Sequence, residues 1–251
     1  MYRPRLIPVL LLKDKGLVKT KAFGSSRYIG DPINAVRIFN DLNADELFLL
    51  DITATKENRL ISSDIVRAVG EEAQMPFSVG GGIKTLEQIA GLINAGAERV
   101  VLNTIAGLDP GFVASAAATY GSTTIVVCMD IKKDLWGKER VWVINGEKKL
   151  QWSPLEFAKL MEKNGAGEII VHSIKRDGMM KGYDIELTRQ VSEAVNIPVV
   201  ALGGAGNFQH MKDAYEKGYA NGLAAGSVFV YQGKEKGVLI NYPETSNINL
   251  L

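Results

Sequence analysis

Short apolar runs recur along this chain, each separated from the next by a stretch with helical spacing. The runs fall near Leu6–Leu12, Glu46–Asp51, Phe77–Val79, Arg99–Leu102, Thr124–Asp130, Glu168–His172, Val199–Leu202 and Asn221–Ala225. Continuous apolar runs of this length suit parallel strands buried on both faces. Between them, Asp31-Pro32, Asp109-Pro110 and Ser153-Pro154 each place a capping side chain before a proline at a first helical position. Ser153 to Glu156 and Thr85 to Gln88 read as capping boxes. Ala35, Ile38, Phe39 and Leu42 have the spacing of a core-facing helical stripe. Strict alternation of eight strands and helices predicts an α/β fold, a (β/α)8 TIM barrel.

The pattern repeats at an offset of 122 residues. Met75-Pro76 through Gly81-Gly82 returns as Ile197-Pro198 through Gly203-Gly204, and Asn103-Thr104 falls on Ala225-Gly226 with Ser227 following. Half the chain is too long a period for a solenoid. The expectation is one domain, residues 1–251, made of two half-barrels, about 1–120 and 121–251. Two regions depart from it. Asn145-Gly146 between Val141–Ile144 and Lys148–Leu150 predicts a β-hairpin inserted after the fifth strand. After Ser227, glycines and a proline interrupt the sequence, so the last helix is expected to be short.

Composition narrows the function. The 251 residues are 46% hydrophobic, enough for one large core, and the net charge of +1 with scattered basic residues argues against a nucleic-acid surface. The apolar run Leu6–Leu12 is too short to span a membrane and lacks the flanks of a signal peptide, so a cytoplasmic location is expected. Cys128 is the sole cysteine and reads as a small buried hydrophobe. With that thiol and only His172 and His210, no zinc-type cluster is expected, and no metal.

Candidate chemistry gathers at the strand ends, where barrel enzymes build their sites. Gly80-Gly81-Gly82, Asn103-Thr104, Gly203-Gly204 and Gly226-Ser227 each follow a predicted strand. Backbone N–H groups exposed by glycine, with a helix N-terminus behind them, favour phosphate. Tight strand-to-helix turns would explain each pair alone, but two pairs in repeat register favour a ligand with a phosphate at each end. Neither glycine run is a dinucleotide fingerprint or a P-loop, so no cofactor is expected. Asp130 is the candidate catalytic acid or base. Lys19, Asp51 and Asp177 are candidates for orienting substrate, although Asp177-Gly178 is also an ordinary turn pair. Aligning Ile7–Lys13 with Val126–Lys132, at an offset of 119, places Leu11 opposite Asp130, and leucine cannot carry a proton. At the other strand ends, Arg5, Glu46, Arg99 and Glu168 could form a ring of alternating charge, for which a structural salt-bridge layer is the simpler explanation.

These residues resemble the HisF family, the cyclase subunit of imidazole glycerol phosphate synthase, from about Arg5 to Phe229. The likeness is carried by Leu49-Leu-Asp51-Ile-Thr-Ala54, Val79–Ile83, Val101–Thr104, Arg176–Gly178 with Gly182–Asp184, and Gly203–Gly206. The resemblance implies phosphate sites at Gly82, Asn103 and Thr104 and at Gly204, Gly226 and Ser227. It also implies a glutaminase subunit at the barrel bottom, with Arg5, Glu46, Arg99 and Glu168 as an ammonia gate in which Arg99 replaces the usual lysine. Three departures stand out: Leu11 where the family has a catalytic aspartate, His172 where a threonine is usual, and Lys175 where an acid is usual. A divergent branch of the family shares the Leu-Leu-Leu-Lys opening and is associated with surface-polysaccharide synthesis. It implies a barrel that channels ammonia for amidination of a nucleotide-linked sugar, beside a sugar amidotransferase. The alternative is an ammonia-dependent cyclase–lyase of histidine biosynthesis, and a related phosphosugar isomerase is a third possibility. Whether the chain catalyses anything stays open at the level of sequence.

Overall fold

A computed structural model describes residues 3–233 and 237–243. Eight parallel strands close on themselves: β1 (Arg5–Lys13), β2 (Leu47–Asp51), β3 (Phe77–Gly80), β4 (Arg99–Leu102), β5 (Ile125–Lys133), β6 (Glu168–Ser173), β7 (Val199–Leu202) and β8 (Gly222–Ala225). Each pairs with its successor, and β8 closes on β1 through Arg5↔Gly222 to Pro8↔Ala225. Around them lie α1 (Pro32–Asp41), α2 (Ser63–Glu72), α3 (Leu86–Asn94), α4 (Pro110–Tyr120), α5 (Pro154–Lys163), α6 (Ile185–Ala194) and α7 (Phe208–Glu216), with a short α8 (Ser227–Val230). This is the (β/α)8 barrel that the alternation predicts, with each barrel strand boundary within three residues of its expected place.

The caps form as the sequence foretells. The Asp31 side chain accepts from the Asn34 N–H, and both capping boxes, Thr85 with Gln88 and Ser153 with Glu156, are closed. The stripe on α1 is shifted, however. Ala35 and Phe39 are buried, whereas Ile38 and Leu42 are 40% and 37% exposed, and Pro32 and Val36 complete the core face instead. Val36 and Phe39 project between α1 and the barrel wall, so the packed face centres one position earlier than the periodicity suggests.

Alternation along each strand sorts side chains into two cores. One lies between barrel and helices, including Phe39, Leu47, Val79, Phe157 and Phe229. The other fills the barrel axis with Ile7, Val9, Phe48, Val101, Val126, Cys128, Ile170, Val200, Leu202 and Ala224. Because the strand period is two, one inward column on β1 runs Arg5, Ile7, Val9, Leu11, and on β6 Glu168, Ile170, His172. Charge at the bottom, apolar filling and the mouth are therefore stacked on the same strands.

The hairpin after β5 is present. Strand β5 runs on past the barrel and pairs antiparallel with Glu139–Val143, which pairs in turn with Lys148–Lys149. Its turn folds back over the mouth, where Asn145 Nδ2 donates to the Ile52 carbonyl at 2.5 Å. Ile144 and Asn145, both at positive φ, precede Gly146 at φ +73°, which is why this turn needs an Asn-Gly pair. The sequence reading missed a second excursion: Gly16–Lys19 returns antiparallel along β1 and pairs with Arg27–Gly30. Gly16–Lys19 is only half apolar and Arg27–Gly30 is largely exposed, so neither makes a continuous apolar run like those that mark the barrel strands. The last helix is indeed short, a single turn followed by the pairing of Tyr231–Gln232 with Gly237–Val238. No helix among the described residues is long and apolar enough to cross a membrane.

Candidate functional site

The C-terminal ends of the strands open into one cavity of about 1540 Å³. Leu11, Lys19, Asp51, Gly81, Gly82, Asn103, Thr104, Asp130, Asp177, Gly203, Gly204, Gly226 and Ser227 all line it. The two glycine groups sit on opposite sides of the mouth, after β3 and β4 and after β7 and β8. At two positions the need for glycine is steric. A Cβ on Gly82 would lie 1.8 Å from the Arg59 carbonyl oxygen, and one on Gly204 2.2 Å from that of Gly182. Close backbone packing thus requires these glycines, whatever else their N–H groups bind.

Asp130, on β5, is the centre of the polar side of the mouth. Its Oδ2 accepts from Asn103 Nδ2 at 3.0 Å, and its Oδ1 lies 2.8 Å from His172 Nδ1 on the neighbouring strand. Strand register explains the meeting, since Asp130 and His172 are direct partners across β5 and β6. Asn103 also donates to the Cys128 carbonyl at 3.0 Å, and Thr104 Oγ1 accepts from the Ile144 N–H of the hairpin at 3.2 Å. Burial opposes charge on the His172 ring, but the bonded Asp130 and the adjacent Asp177 and Cys128 outweigh that and hold its pKa well above the usual histidine value. His172 Nε2 is buried without a hydrogen-bond partner, 3.6 Å from Asp177 Oδ1.

The register also clarifies the repeat. Leu11 pairs with Leu50 across β1 and β2, just as Asp130 pairs with His172 across β5 and β6. Leu50 and His172 are themselves related by the 122-residue offset. One half of the mouth therefore presents two leucines where the other presents an acid and an imidazole. Leu11 and Leu50 both pack against the axial core.

Other candidates are committed differently. Asp51 is held by its own loop: Oδ2 accepts from Arg59 Nη1 at 2.6 Å, and Oδ1 from the N–H groups of Thr53 and Ala54 at 2.9 and 3.0 Å. Lys19 is buried, and its Nζ donates to the Val9 carbonyl at 2.5 Å. Burial lowers its pKa to about 8, partly offset by Asp177. The amine also lies beside Gly226, where an added Cβ would come within 2.4 Å of Nζ. Asp177 accepts from Thr20 Oγ1 at 3.1 Å.

Among the described residues, the groups that metals favour come together once, as Cys128, Asp130 and His172, with their polar atoms within 4.8 Å of one another. The sequence offers no such cluster, because two of these residues come from β5 and one from β6, and only register joins them. Here they are engaged with one another. The imidazole is bonded to the carboxylate, and burial beside Asp130 lifts the thiol to about 11, so it keeps its proton. The arrangement stores protons rather than offering free ligands. Sequence reading marked His172 only as a departure. Strand parity from Glu168 through Ile170 would have placed it inside the mouth.

At the opposite end, the four bottom charges close into a ring. Arg5 bonds Glu46 at 2.6 Å and also Glu168, while Arg99 bonds Glu168 at 2.6 Å and also Glu46. Both glutamates are almost fully buried. Burial raises the Glu46 pKa, Arg99 and Arg5 pull it back, and Glu168 adds to the rise.

Comparison with known proteins agrees with this geometry. A family profile described as a histidine biosynthesis protein matches residues 5–236. A Pseudomonas aeruginosa chain carrying the provisional name imidazole glycerol phosphate synthase subunit hisF2 is 43% identical over 250 residues, spanning 100% of both chains. A Leptospira borgpetersenii chain, provisionally named as the HisF subunit of the same synthase, is 44% identical over 244 residues, 97% of this chain and 96% of its own. The imidazole glycerol phosphate synthase subunit HisF of Geobacillus thermodenitrificans is 40% identical over 251 residues, 100% of both. With the closed barrel, the paired rims and relatives of this kind along its whole length, the chain belongs to the HisF family of imidazole glycerol phosphate synthase subunits.

Proposed function

We propose that this protein is the ammonia-using subunit of a two-component synthase of the imidazole glycerol phosphate type. A glutaminase subunit docks at the barrel bottom, and ammonia passes Arg5, Glu46, Arg99 and Glu168 and follows the apolar axis to the mouth. There it meets a ligand whose phosphates rest on Gly81, Gly82, Asn103 and Thr104 and on Gly203, Gly204, Gly226 and Ser227. The observation that carries this reading is the stacking on single strands of a charged ring, an apolar column and a polar mouth. The names of the relatives point the same way. Lys19 and Asp177 orient the ligand, and Asp130 takes part in proton transfer.

Leu11 favours a second reading. With leucines at 11 and 50, the first half-barrel has no proton-moving group at the two strand positions that hold Asp130 and His172 in the second. The barrel would then conduct ammonia to a sugar amidotransferase that amidinates a nucleotide-linked sugar in surface-polysaccharide synthesis. The resemblance to the divergent HisF-like branch supports this version.

Steady-state turnover of the bis-phosphorylated HisF substrate with saturating ammonium separates the two. A rate on the order of 1 per second or more supports the synthase reading. Protein that is folded and binds a glutaminase subunit but shows no turnover leaves the channel alone.

A further inference from the structure

We propose that His172, fixed by Asp130, is the second acid–base group of the mouth and takes over the proton work that Leu11 cannot do. The inference rests on the synthase reading above.

Three observations carry it. First, the register makes the Leu11–Leu50 and Asp130–His172 pairs equivalent positions of the two half-barrels, so an acid and an imidazole stand in one half where two leucines stand in the other. Second, the ring is oriented. Nδ1 is held by Asp130 at 2.8 Å, and Phe23 lies against the ring at 5.2 Å between centroids. Third, Nε2 makes no hydrogen bond, its nearest partner being Asp177 Oδ1 at 3.6 Å, and His172 lies on the cavity lining. A histidine kept only for packing in a core bonds both nitrogens, since an unpaired buried polar atom costs free energy. A cavity-lining ring with one nitrogen fixed by a carboxylate and the other not hydrogen-bonded, so that a ligand displacing Asp177 can take it, has the geometry of a general acid–base.

The charged and titratable groups facing the ring are Asp130 and Cys128 from β5 and Asp177 from the loop after β6, with Lys19 acting on Asp177. They favour the imidazolium, so the ring begins as an acid. When ammonia adds to a carbonyl carbon of the ligand, a C–N bond forms and the C=O π bond breaks. The carbonyl oxygen takes the proton from Nε2 and becomes a hydroxyl. The new nitrogen, now cationic, returns one proton to Nε2, which restores the imidazolium. In this step Asp130 positions the ring.

The test is ammonium-dependent turnover of the bis-phosphorylated HisF substrate by the wild type, His172→Gln, His172→Thr and Asp130→Asn. With an active wild type, both His172 variants should lose kcat about a hundredfold or more, within the usual range for such a group, with KM nearly unchanged. Leu11→Asp added to His172→Thr restores an acid at the paired position and should recover at least about tenfold of the loss. Asp130→Asn should move the alkaline limb of the kcat profile to lower pH, which a purely structural role for Asp130 would not do. Both His172 variants within about threefold of an active wild type would overturn the His172 proposal and leave the synthase reading standing. A wild type without turnover would overturn both.

Discussion

Arg99 Nη1 donates to Glu168 Oε2 at 2.6 Å, tying the first residue of β4 to the first residue of β6 across the barrel bottom. With Arg5 and Glu46 it closes a ring in which each charge touches two opposite ones. Arg99→Ala leaves two buried glutamates sharing one arginine. Breaking such a pair costs about 3 kcal/mol, which a barrel of this size tolerates. Glutamine-dependent flux in the presence of a glutaminase subunit should change severalfold, while turnover with external ammonium stays near wild type. Equal flux from both nitrogen sources in the variant and the wild type would remove the ring from the ammonia path.

Lys19 gives the mouth a pH dependence near neutrality. Its pKa is lowered to about 8 by burial, so the free protein carries a charged amine below that pH and a neutral one above it. Affinity for a phosphate-ended ligand should therefore fall as pH rises through 8. A charge-assisted bond lost in this way corresponds to roughly tenfold in Kd. Titration calorimetry at pH 7 and pH 9.5 reads it directly. Lys19→Met should bind weakly at both pH values, and a variant that kept the wild-type pH dependence would exclude Lys19 as the source.

Asp51 and Arg59 hold the loop that the Gly81-Gly82 backbone packs against. Asp51→Ala removes the acceptor of the Thr53 and Ala54 N–H groups and the buried carboxylate that pairs with Arg59. Because the Arg59 side chain is about a third exposed to solvent, its share is screened, and the expected loss is about 2 kcal/mol. Limited proteolysis should find a new cleavage within residues 52–60 well below the unfolding midpoint, and intact resistance there would show that the loop stands without the pair.

Tyr242 fastens the described part of the tail beneath the barrel. Its hydroxyl donates to the Leu6 carbonyl and accepts from the Asp45 N–H, both at 3.0 Å, and its ring stacks on Phe229 at 5.5 Å. Tyr242→Phe keeps the stacking and deletes both bonds, for an expected cost of about 1–3 kcal/mol. Urea unfolding followed by far-UV circular dichroism would show it as a lowered midpoint with an unchanged slope.

The sequence determined the barrel itself. Eight apolar runs, proline-marked helix starts and two capping boxes are local signals, and local propensity agrees with the global fold in each case. The glycine rims and the bottom charges were legible for the same reason, since strand ends are fixed by the strands. The inserted hairpin announced itself through Asn145-Gly146. The face of α1 did not, because periodicity locates a stripe only to within a position and packing chose Val36 over Ile38. The pair Gly16–Lys19 and Arg27–Gly30 was invisible, because neither forms a continuous apolar run.

What only the tertiary structure decided is which residues meet. Asp130 and His172 are 42 residues apart in the chain and become neighbours because β5 and β6 pair in one register and no other. A slip of one residue would turn His172 out of the barrel. The same register sets Leu11 beside Leu50, so the loss of an acid in one half and the gain of an imidazole in the other become a single fact about one mouth. Spacing along a chain fixes which face a side chain takes, and hydrogen-bonded register between strands fixes what it faces.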